Sequence, residues 1–439
     1  MSVEISPSAV KNVLMDRDDF LTGLLNLVSA TKSIGWLQNV RDSAANFVRQ
    51  STLPTTRDEE WRFTDLSGLR QVQFNNVETS YVTSLQPDVL VEAVNSRLVF
   101  VNGVYAPELS SVAGLPDGVV TASLAGLPAN SFDLVKNYLA QSEGGHEVFT
   151  ALNTAGMSDA AVVWVPKNVV VETPIHLVFV AAGDTATISQ PRCLVVAETG
   201  SQVTLIEEFN NRRSAEGVYF TNAVTEIWVG ENAQVSHTVL DRSGAEAFHV
   251  GKTAVSQARS SRYICNAVVF GGKLSRHNLE ITQTGEQTET TLNGLTMIAD
   301  KQVADTHSAI ALNYPHGVSK QLQKNIVGDR AHVVFNGKVF VPKPAQLTDA
   351  SQLNRNLLLS SKARVDTKPQ LEITADNVKC AHGATVSQLE DDEIFYLQSR
   401  GIDENDARNL LINAFASEII NKIPILSLRE TLLQVVERF

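Results

Sequence analysis

The residues best suited to chemistry are Cys380 and His382, within residues 379–385, which read Lys-Cys-Ala-His-Gly-Ala-Thr. If this segment is a β-strand, both side chains point to one face and lie about 6–7 Å apart along the backbone. A thiolate and an imidazole can ligate iron, copper or zinc, although a metal would need further ligands from elsewhere. The alternative is a buried cysteine beside a hydrogen-bonded core histidine, because free cysteine is among the most buried residue types. The spacing alone favours this structural alternative.

Nucleotide-binding and hydrolase motifs are missing from the sequence. Residues 251–253, Gly-Lys-Thr, look like the end of a phosphate-binding loop, but Glu246 stands where that loop needs its first glycine. The chain also contains no G-x-S-x-G, no H-E-x-x-H and no pair of Cys-x-x-Cys segments. We therefore expect no ATP site and no zinc hydrolase centre.

The other candidate side chains are interpreted as structural. Cys193 and Cys265 lie in apolar strand-like segments, which is typical of inert thiols. Asp305 could orient the imidazole of His307, but neighbouring residues of a strand point to opposite faces. His307 is therefore also interpreted as a structural residue.

Composition and charge exclude several classes of protein. The 439 residues include 36 Lys and Arg against 48 Asp and Glu, a net charge of −12, so nucleic acid and anionic membranes would repel the chain. Three cysteines, far apart in the sequence, exclude a disulfide framework and fit a reducing compartment. The N-terminus shows no targeting signal, and residues 20–29 are too short and too polar to span a membrane. We expect a cytoplasmic protein.

The pattern of apolar residues divides the chain into four parts. Residues 1–96 read as an N-terminal helical domain and residues 97–159 as a mixed connecting region. From residue 160 to residue 388, strand-like runs follow one another with almost no helical periodicity. Residues 389–439 read as a C-terminal helical domain. The β region is too long for one compact sandwich.

Faint repeats in the β region indicate how its strands are arranged. Gly200 and Gly230 open similar turns 30 positions apart, and Ala331 and Ala363 close similar turns 32 positions apart. These lengths suit one coil of a β-solenoid, in which stacked coils share a continuous core. The faintness of the repeat leaves other all-β folds open.

Local signals predict one turn and two helix starts. Residues 102–103, Asn-Gly, predict a type I′ hairpin turn. Asp403 is a candidate N-cap of a helix whose apolar stripe includes Leu410 and Phe415. Residues 427–430, Ser-Leu-Arg-Glu, have the spacing of a capping box and predict that Ser427 caps the last helix.

Several segments resemble those of one known family. They are Arg57-Asp58-Glu59-Glu60-Trp61-Arg62-Phe63 within residues 54–65, and residues 319–325, 334–339, 348–360, 368–373, 378–385 and 395–402. These segments resemble the SufB/SufD family of iron–sulfur cluster assembly scaffold proteins, which belongs to the SUF system. Within the family the chain is most like SufD, because SufB-type chains are usually longer and often carry an N-terminal cysteine cluster.

The resemblance implies a fold and a set of partners. The fold is a right-handed parallel β-helix core flanked by N-terminal and C-terminal α-helical domains. The partners are SufB and the ATPase SufC, which docks on the C-terminal helical domain. The chain is then a non-catalytic scaffold with ATP handled by SufC, and the resemblance leaves open both a flavin and a homodimer of the isolated chain.

The resemblance also changes the interpretation of the candidate site. It places His382 where SufD meets SufB and implies that this histidine helps to hold a nascent iron–sulfur cluster shared with SufB. Cys380 is the weaker candidate ligand, since it can equally be structural. A shared site is chemically reasonable, because a cluster needs more ligands than Cys380 and His382 supply.

Two other functions stay open. The chain could be the SufB-type subunit that accepts sulfur, in which case Cys265 is the only plausible acceptor. It could instead be a β-solenoid carbohydrate-active enzyme, which needs carboxylates grouped on one face of the coils. Asp and Glu lie scattered mainly at predicted turns, which does not favour the enzyme.

Overall fold

The computed structural model describes residues 18–28, 35–75, 89–142, 147–183, 185–211 and 217–439. The predicted N-terminal domain, residues 1–96, therefore lies partly outside the described residues, as does the extreme N-terminus, where no targeting signal is expected. Within the described ranges, every helix is too short or too polar to cross a membrane.

The described chain contains eight α-helices and twenty β-strands. The helices are α1 (Asp19–Val28), α2 (Trp36–Gln50), α3 (Ser67–Arg70), α4 (Ala129–Val135), α5 (Val148–Gly156), α6 (Asp391–Ser399), α7 (Glu404–Ile420) and α8 (Leu426–Val436). The strands are β1 (Arg97–Val101), β2 (Val104–Tyr105), β3 (Val120–Ser123), β4 (Ala161–Val165), β5 (Ile175–Ala181), β6 (Thr187–Ser189), β7 (Arg192–Ala197), β8 (Gln202–Asn211), β9 (Tyr219–Val229), β10 (Gln234–Arg242), β11 (Ala247–Gln257), β12 (Arg262–Val269), β13 (Leu274–Gln283), β14 (Glu289–Ile298), β15 (Val303–Ala311), β16 (Val318–Val327), β17 (His332–Val341), β18 (Asp349–Leu358), β19 (Arg364–Ile373) and β20 (Lys379–Gln388).

The strands coil into a parallel β-helix. From β7 onward each strand pairs in parallel with the strand two positions later, so odd-numbered strands build one sheet (the odd sheet) and even-numbered strands the other (the even sheet). Gln202 pairs with Gln234, 32 positions later, and Arg262 with Glu289, 27 positions later, which fits the coil length expected from the turns. The predicted parallel β-helix flanked by helical segments is confirmed, whereas the exact domain boundaries stay predictions.

Alternation along each strand separates a core inside the coils from two outer faces. The inner core is aliphatic and aromatic in the first coils, where Leu177, Phe179 and Leu205 are almost completely buried. The outer face of the even sheet packs against α7 and α8. The outer face of the odd sheet packs against α1, α2 and α5, with Trp61 buried in the same contact. Both sheets are therefore covered by helices, as parallel sheets require.

The predicted hairpin turn is confirmed. Strands β1 and β2 pair antiparallel, with Val101 opposite Val104. Asn102 and Gly103 between them have φ angles of 50° and 82°, the two positive values that a type I′ turn needs.

In the part of the chain that the structure describes, the C-terminal end of the β-helix is open. β19 and β20 are the last strands of the two sheets, and the residues that follow them in the chain are helical. Side chains of β19 are mostly half-buried and those of β20 mostly exposed, in contrast to the buried strands of the central coils. The inner faces of β19 and β20 therefore border the solvent.

The structure confirms one prediction for α7 and contradicts another. The Asp403 carboxylate accepts hydrogen bonds from the backbone of Asn405 and Asp406, so its predicted N-cap role is confirmed. The predicted apolar stripe of α7 is partly wrong, because Leu410 is 49% exposed. The side that is actually buried contains Ala407, Ile412, Ala416, Ile419 and Ile420.

The predicted capping box of the last helix is wrong. α8 begins at Leu426, and the backbone N–H and the hydroxyl of Ser427 both donate to the Glu92 carboxylate. Glu92 therefore accepts from the Ser427 N–H that Glu430 was expected to satisfy, and it links α8 to the segment before β1.

Candidate functional site

Cys380 and His382 lie on β20, at the open end of the β-helix. Cys380 is half-buried and packs against the inner core, whereas His382 is exposed. Residues two apart on a strand share a face, so the His382 side chain borders the same uncovered inner space. Among the described residues, no group of three or more His, Cys, Asp and Glu side chains could hold a metal ion. The structure thus brings the two candidates together without a third ligand from the described residues.

His382 ends a row of inner side chains that occupy the same register position in successive coils. The row runs through His237, Cys265, Leu292, Gln321, Gln352 and His382. The buried Gln352 amide donates from Nε2 to Oε1 of Gln321 at 2.8 Å, while its own Oε1 lacks a partner among the described residues. Polar groups of the inner row therefore reach the surface at His382.

The three thiols differ in accessibility. Burial raises the pKa of Cys265 to about 12 and that of Cys193 well above its usual value, and both side chains are only 1% exposed. Burial also raises the pKa of Cys380, but this residue lies at the open end of the coils. Because a sulfur acceptor must form an accessible thiolate, Cys265 is poorly suited to that role.

A second polar cluster was missed by the sequence analysis. It joins the segment around Glu60 to the outer face of β13 and β15. Arg276 contacts Asp305 at 2.5 Å, and its guanidinium stacks over the Trp61 ring at 3.8 Å. The His307 imidazole lies between two carboxylates, with Nε2 2.9 Å from Asp305 Oδ1 and Nδ1 3.2 Å from Glu60 Oε2.

The protonation of this cluster follows from its contacts. Burial alone would raise the pKa of Asp305, but Arg276 and His307 outweigh it and lower that pKa to about 2. Burial likewise works against protonation of His307, but Asp305 and Glu60 outweigh it and raise the His307 pKa. The hydrogen bond from His307 lowers the pKa of Glu60. The Arg276 guanidinium and the His307 imidazole are therefore held against two carboxylates, and these contacts favour the protonated form of His307.

The sequence contained one usable signal for this cluster. Asp305 and His307 are two positions apart, so strand alternation puts them on the same face rather than on opposite faces. The argument that set this pair aside was therefore wrong, although the contact with Glu60, 247 positions away, could not be read from local spacing.

Two family models match the chain. The model described as "SUF system FeS cluster assembly, SufBD core domain" matches residues 179–415, most of the β-helix and part of α7. The model described as "SufBD protein N-terminal region" matches residues 26–177.

Curated relatives cover most of the chain. An iron-sulfur cluster assembly SufBD family protein of Synechocystis sp. is 50% identical over 93% of this chain and 92% of its own length. Protein ABCI7, chloroplastic, of Arabidopsis thaliana is 38% identical over 90% of this chain and 84% of its own length. The iron-sulfur cluster assembly protein SufD of Escherichia coli is 34% identical over 84% of each chain. The resemblance is confirmed, and the chain belongs to the SufB/SufD family of SUF iron–sulfur cluster assembly proteins.

Proposed function

We propose that this chain is a non-catalytic scaffold subunit of a cytoplasmic SUF complex, in which it pairs with SufB and with the ATPase SufC. Relatives named SufD support the role in cluster assembly. The observation that carries the pairing is the edge of β20, the last strand of the even sheet, which has no further strand beside it among the described residues. An unpaired strand edge at the open end of a solenoid is a ready template for a strand of another chain.

The backbone groups available at this edge can be identified. Lys379 donates its backbone N–H to Thr348 O at 2.8 Å, on the side of β18. Parallel ladders use alternate residues for the same neighbour. The N–H groups of Cys380, His382 and Ala384 therefore point away from β18, toward a partner strand.

The nascent cluster is the cargo of this scaffold. His382 and Cys380 supply imidazole and thiolate ligands from the edge strand, and SufB supplies the others. Neutral imidazole and thiolate are both known ligands of iron–sulfur clusters. The position of His382 beside the free backbone edge favours a shared site, since a partner strand paired there would bring its own side chains to the same face.

Proline at position 384 tests the pairing. We expect Ala384→Pro to weaken the heterodimer with SufB by about tenfold or more, because proline removes an outward N–H and places its ring on the edge. The ladder to β18 uses the flanking residues and should persist. The measurement is the dissociation constant of purified chains, with circular dichroism to show that the variant is folded.

The matched control keeps the backbone donor. Ala384→Val also enlarges the side chain but retains the N–H, so its affinity for SufB should stay close to that of the unchanged chain. Equal affinity of the folded proline variant would contradict pairing through β20.

The proposed ATPase platform is the exposed part of the C-terminal helices. Phe395 and Tyr396 on α6 are 69% and 57% exposed, although they are large apolar or aromatic residues. Helices α7 and α8 instead cover Met297 and Leu357 of the even sheet. Removing all residues beyond α6 would uncover this core, so point substitutions are the cleaner test.

Phe395→Ser should reduce co-purification of SufC by about tenfold or more, because exposed aromatic residues at an interface often dominate its affinity. The measurement is the ratio of SufC to this chain after affinity purification of the complex. Val170→Ser is the control, since Val170 is 51% exposed but forms a β-bridge with Gln202, more than 200 positions before α6 in the sequence. Unchanged SufC recovery with Phe395→Ser would contradict the proposal that SufC docks on α6.

A further inference from the structure

A cleft of about 490 Å³ lies between the Glu60 segment and the outer face of the odd sheet. One wall is the turn that contains Arg57, Arg62 and Phe63. The other wall is formed by β15, β17 and β19, which present His307, Asn336 and Lys368 at one register position in three successive coils. A cavity of this size falls within the range of about 300–1,000 Å³ that is typical of small-molecule sites.

The carboxylates of the cleft are already paired. Glu59 contacts Lys368, and Glu60 contacts His307. The other two, Asp305 and Asp366, contact Arg276 and Arg364, respectively. Each acidic group that lines the cleft therefore has a cation within ion-pair distance.

Two guanidinium groups are left over. Among the described residues, Arg57 and Arg62 have no carboxylate within ion-pair distance, and Arg62 only lies 5.7 Å above the Phe63 ring. Both are exposed and border the same cleft. The lining of the cleft contains four acidic side chains and four basic ones when His307 is included, so the cleft offers an anion two guanidinium groups without an ion pair rather than a net positive charge.

The walls are also held in place without a ligand. The Lys368–Glu59 pair and the contacts of Glu60 with His307 and Asn336 tie the turn to three coils of the sheet. Trp61, next to Glu60, is buried against α5 through Phe149. The cleft is thus largely preformed, which lowers the entropic cost of binding.

We propose that this cleft binds a phosphorylated small molecule, with Arg57 and Arg62 as the phosphate-binding residues. A guanidinium offers planar, forked donors that match phosphate oxygens, and a phosphate carries enough charge and acceptors for two of them. The Phe63 ring provides an apolar surface for the remainder of the ligand. This site is separate from β20 and does not depend on the proposed scaffold function.

The test is isothermal titration calorimetry of the full chain with pyrophosphate as the probe. We expect pyrophosphate to bind with a dissociation constant below about 1 mM. The double variant Arg57→Gln with Arg62→Gln should bind pyrophosphate at least about tenfold more weakly, since two charge-assisted contacts are lost. Both side chains are exposed, so the variant should keep its circular dichroism spectrum.

Two comparisons make the result specific. Arg408→Gln removes a partly exposed arginine of α7 outside the cleft and should leave pyrophosphate binding unchanged. Citrate, a carboxylate polyanion, should bind clearly more weakly than pyrophosphate. The proposal is overturned if the unchanged chain does not bind pyrophosphate, if Arg408→Gln weakens binding as much as the double variant, or if citrate binds equally well.

Discussion

Asp305→Asn is expected to lower the free energy of unfolding by about 3–5 kcal/mol, because it leaves the guanidinium of Arg276 buried without its anion. The side chains of Asp305 and Arg276 are 0% and 3% exposed, so solvent cannot replace the lost charge. The hydrogen bond from Thr64 is weakened as well. The measurement is urea-induced unfolding of the full chain at pH 7, followed by circular dichroism.

Asp366→Asn is the matched control on the same sheet face. Asp366 contacts His332 and Arg364, but these side chains are 17% and 61% exposed. Pairs of this kind contribute about 0–1 kcal/mol, so the control should shift the unfolding midpoint only slightly. A midpoint shift for Asp305→Asn that is no larger than the control's would contradict the importance of the buried pair.

The same cluster gives the stability of the chain a defined pH dependence. The pKa of Asp305 is lowered from 3.8 to about 2, so its stabilisation is complete above pH 3.8 and is lost as the pH falls through about 2. The pKa of His307 is raised above 6.5, so its stabilisation is complete below pH 6.5 and is lost as the pH rises through the folded-state value. The Asp305→Asn chain should lose most of the second dependence, since Asp305 is the main group that raises the His307 pKa.

The fold was largely predictable because its signals are local. The Asn102-Gly103 turn needs two residues that tolerate positive φ, and the Asp403 cap needs only the two backbone donors that follow it. The coil length could be estimated because each coil repeats the same turn and alternating strand. The turn and the cap depend on residues a few positions apart, and the coil length depends on a repeat that can be read along the sequence.

The errors occurred where distant residues compete with a local pattern. The hydroxyl of Ser427 was assigned to a capping box within α8, but it donates to Glu92, which lies 335 positions away. Leu410 continued an apolar stripe, yet α7 packs through a neighbouring side because the even sheet contacts it there. The Glu60–His307 contact likewise depends on a coil that brings the N-terminal segment to β15.

The candidate site could be located from the sequence, but its surroundings could not. The spacing of Cys380 and His382 indicated a shared strand face, and the structure puts both on β20. The position of β20 at the uncovered end of the coils could not be predicted. It depends on the number of coils and on the packing of α7 and α8 against the outer face rather than over this end. The exposure of His382 favours a functional role, because a structural histidine would be buried and hydrogen-bonded.

His382→Ala in the complex with SufB and SufC is expected to abolish most cluster formation while the complex still assembles. The exposed side chain makes little contribution to folding, so the melting temperature and the ATPase activity should stay near those of the unchanged complex. Iron and acid-labile sulfide per complex should fall by about tenfold, because the imidazole ligand is missing from the proposed shared site. These three measurements distinguish a ligand from a structural residue.

Variants at neighbouring positions complete the argument. Cys380→Ser should reduce cluster content less than His382→Ala, since Cys380 packs against the inner core and its thiol pKa is raised by burial. Thr385→Ala changes an exposed residue of the same strand whose side chain points to the opposite face, and it should leave cluster content unchanged. If the His382→Ala complex assembles and accumulates normal iron and sulfide, His382 is not a cluster ligand. The scaffold role would then have to depend on the β20 edge alone, which the Ala384→Pro variant tests separately.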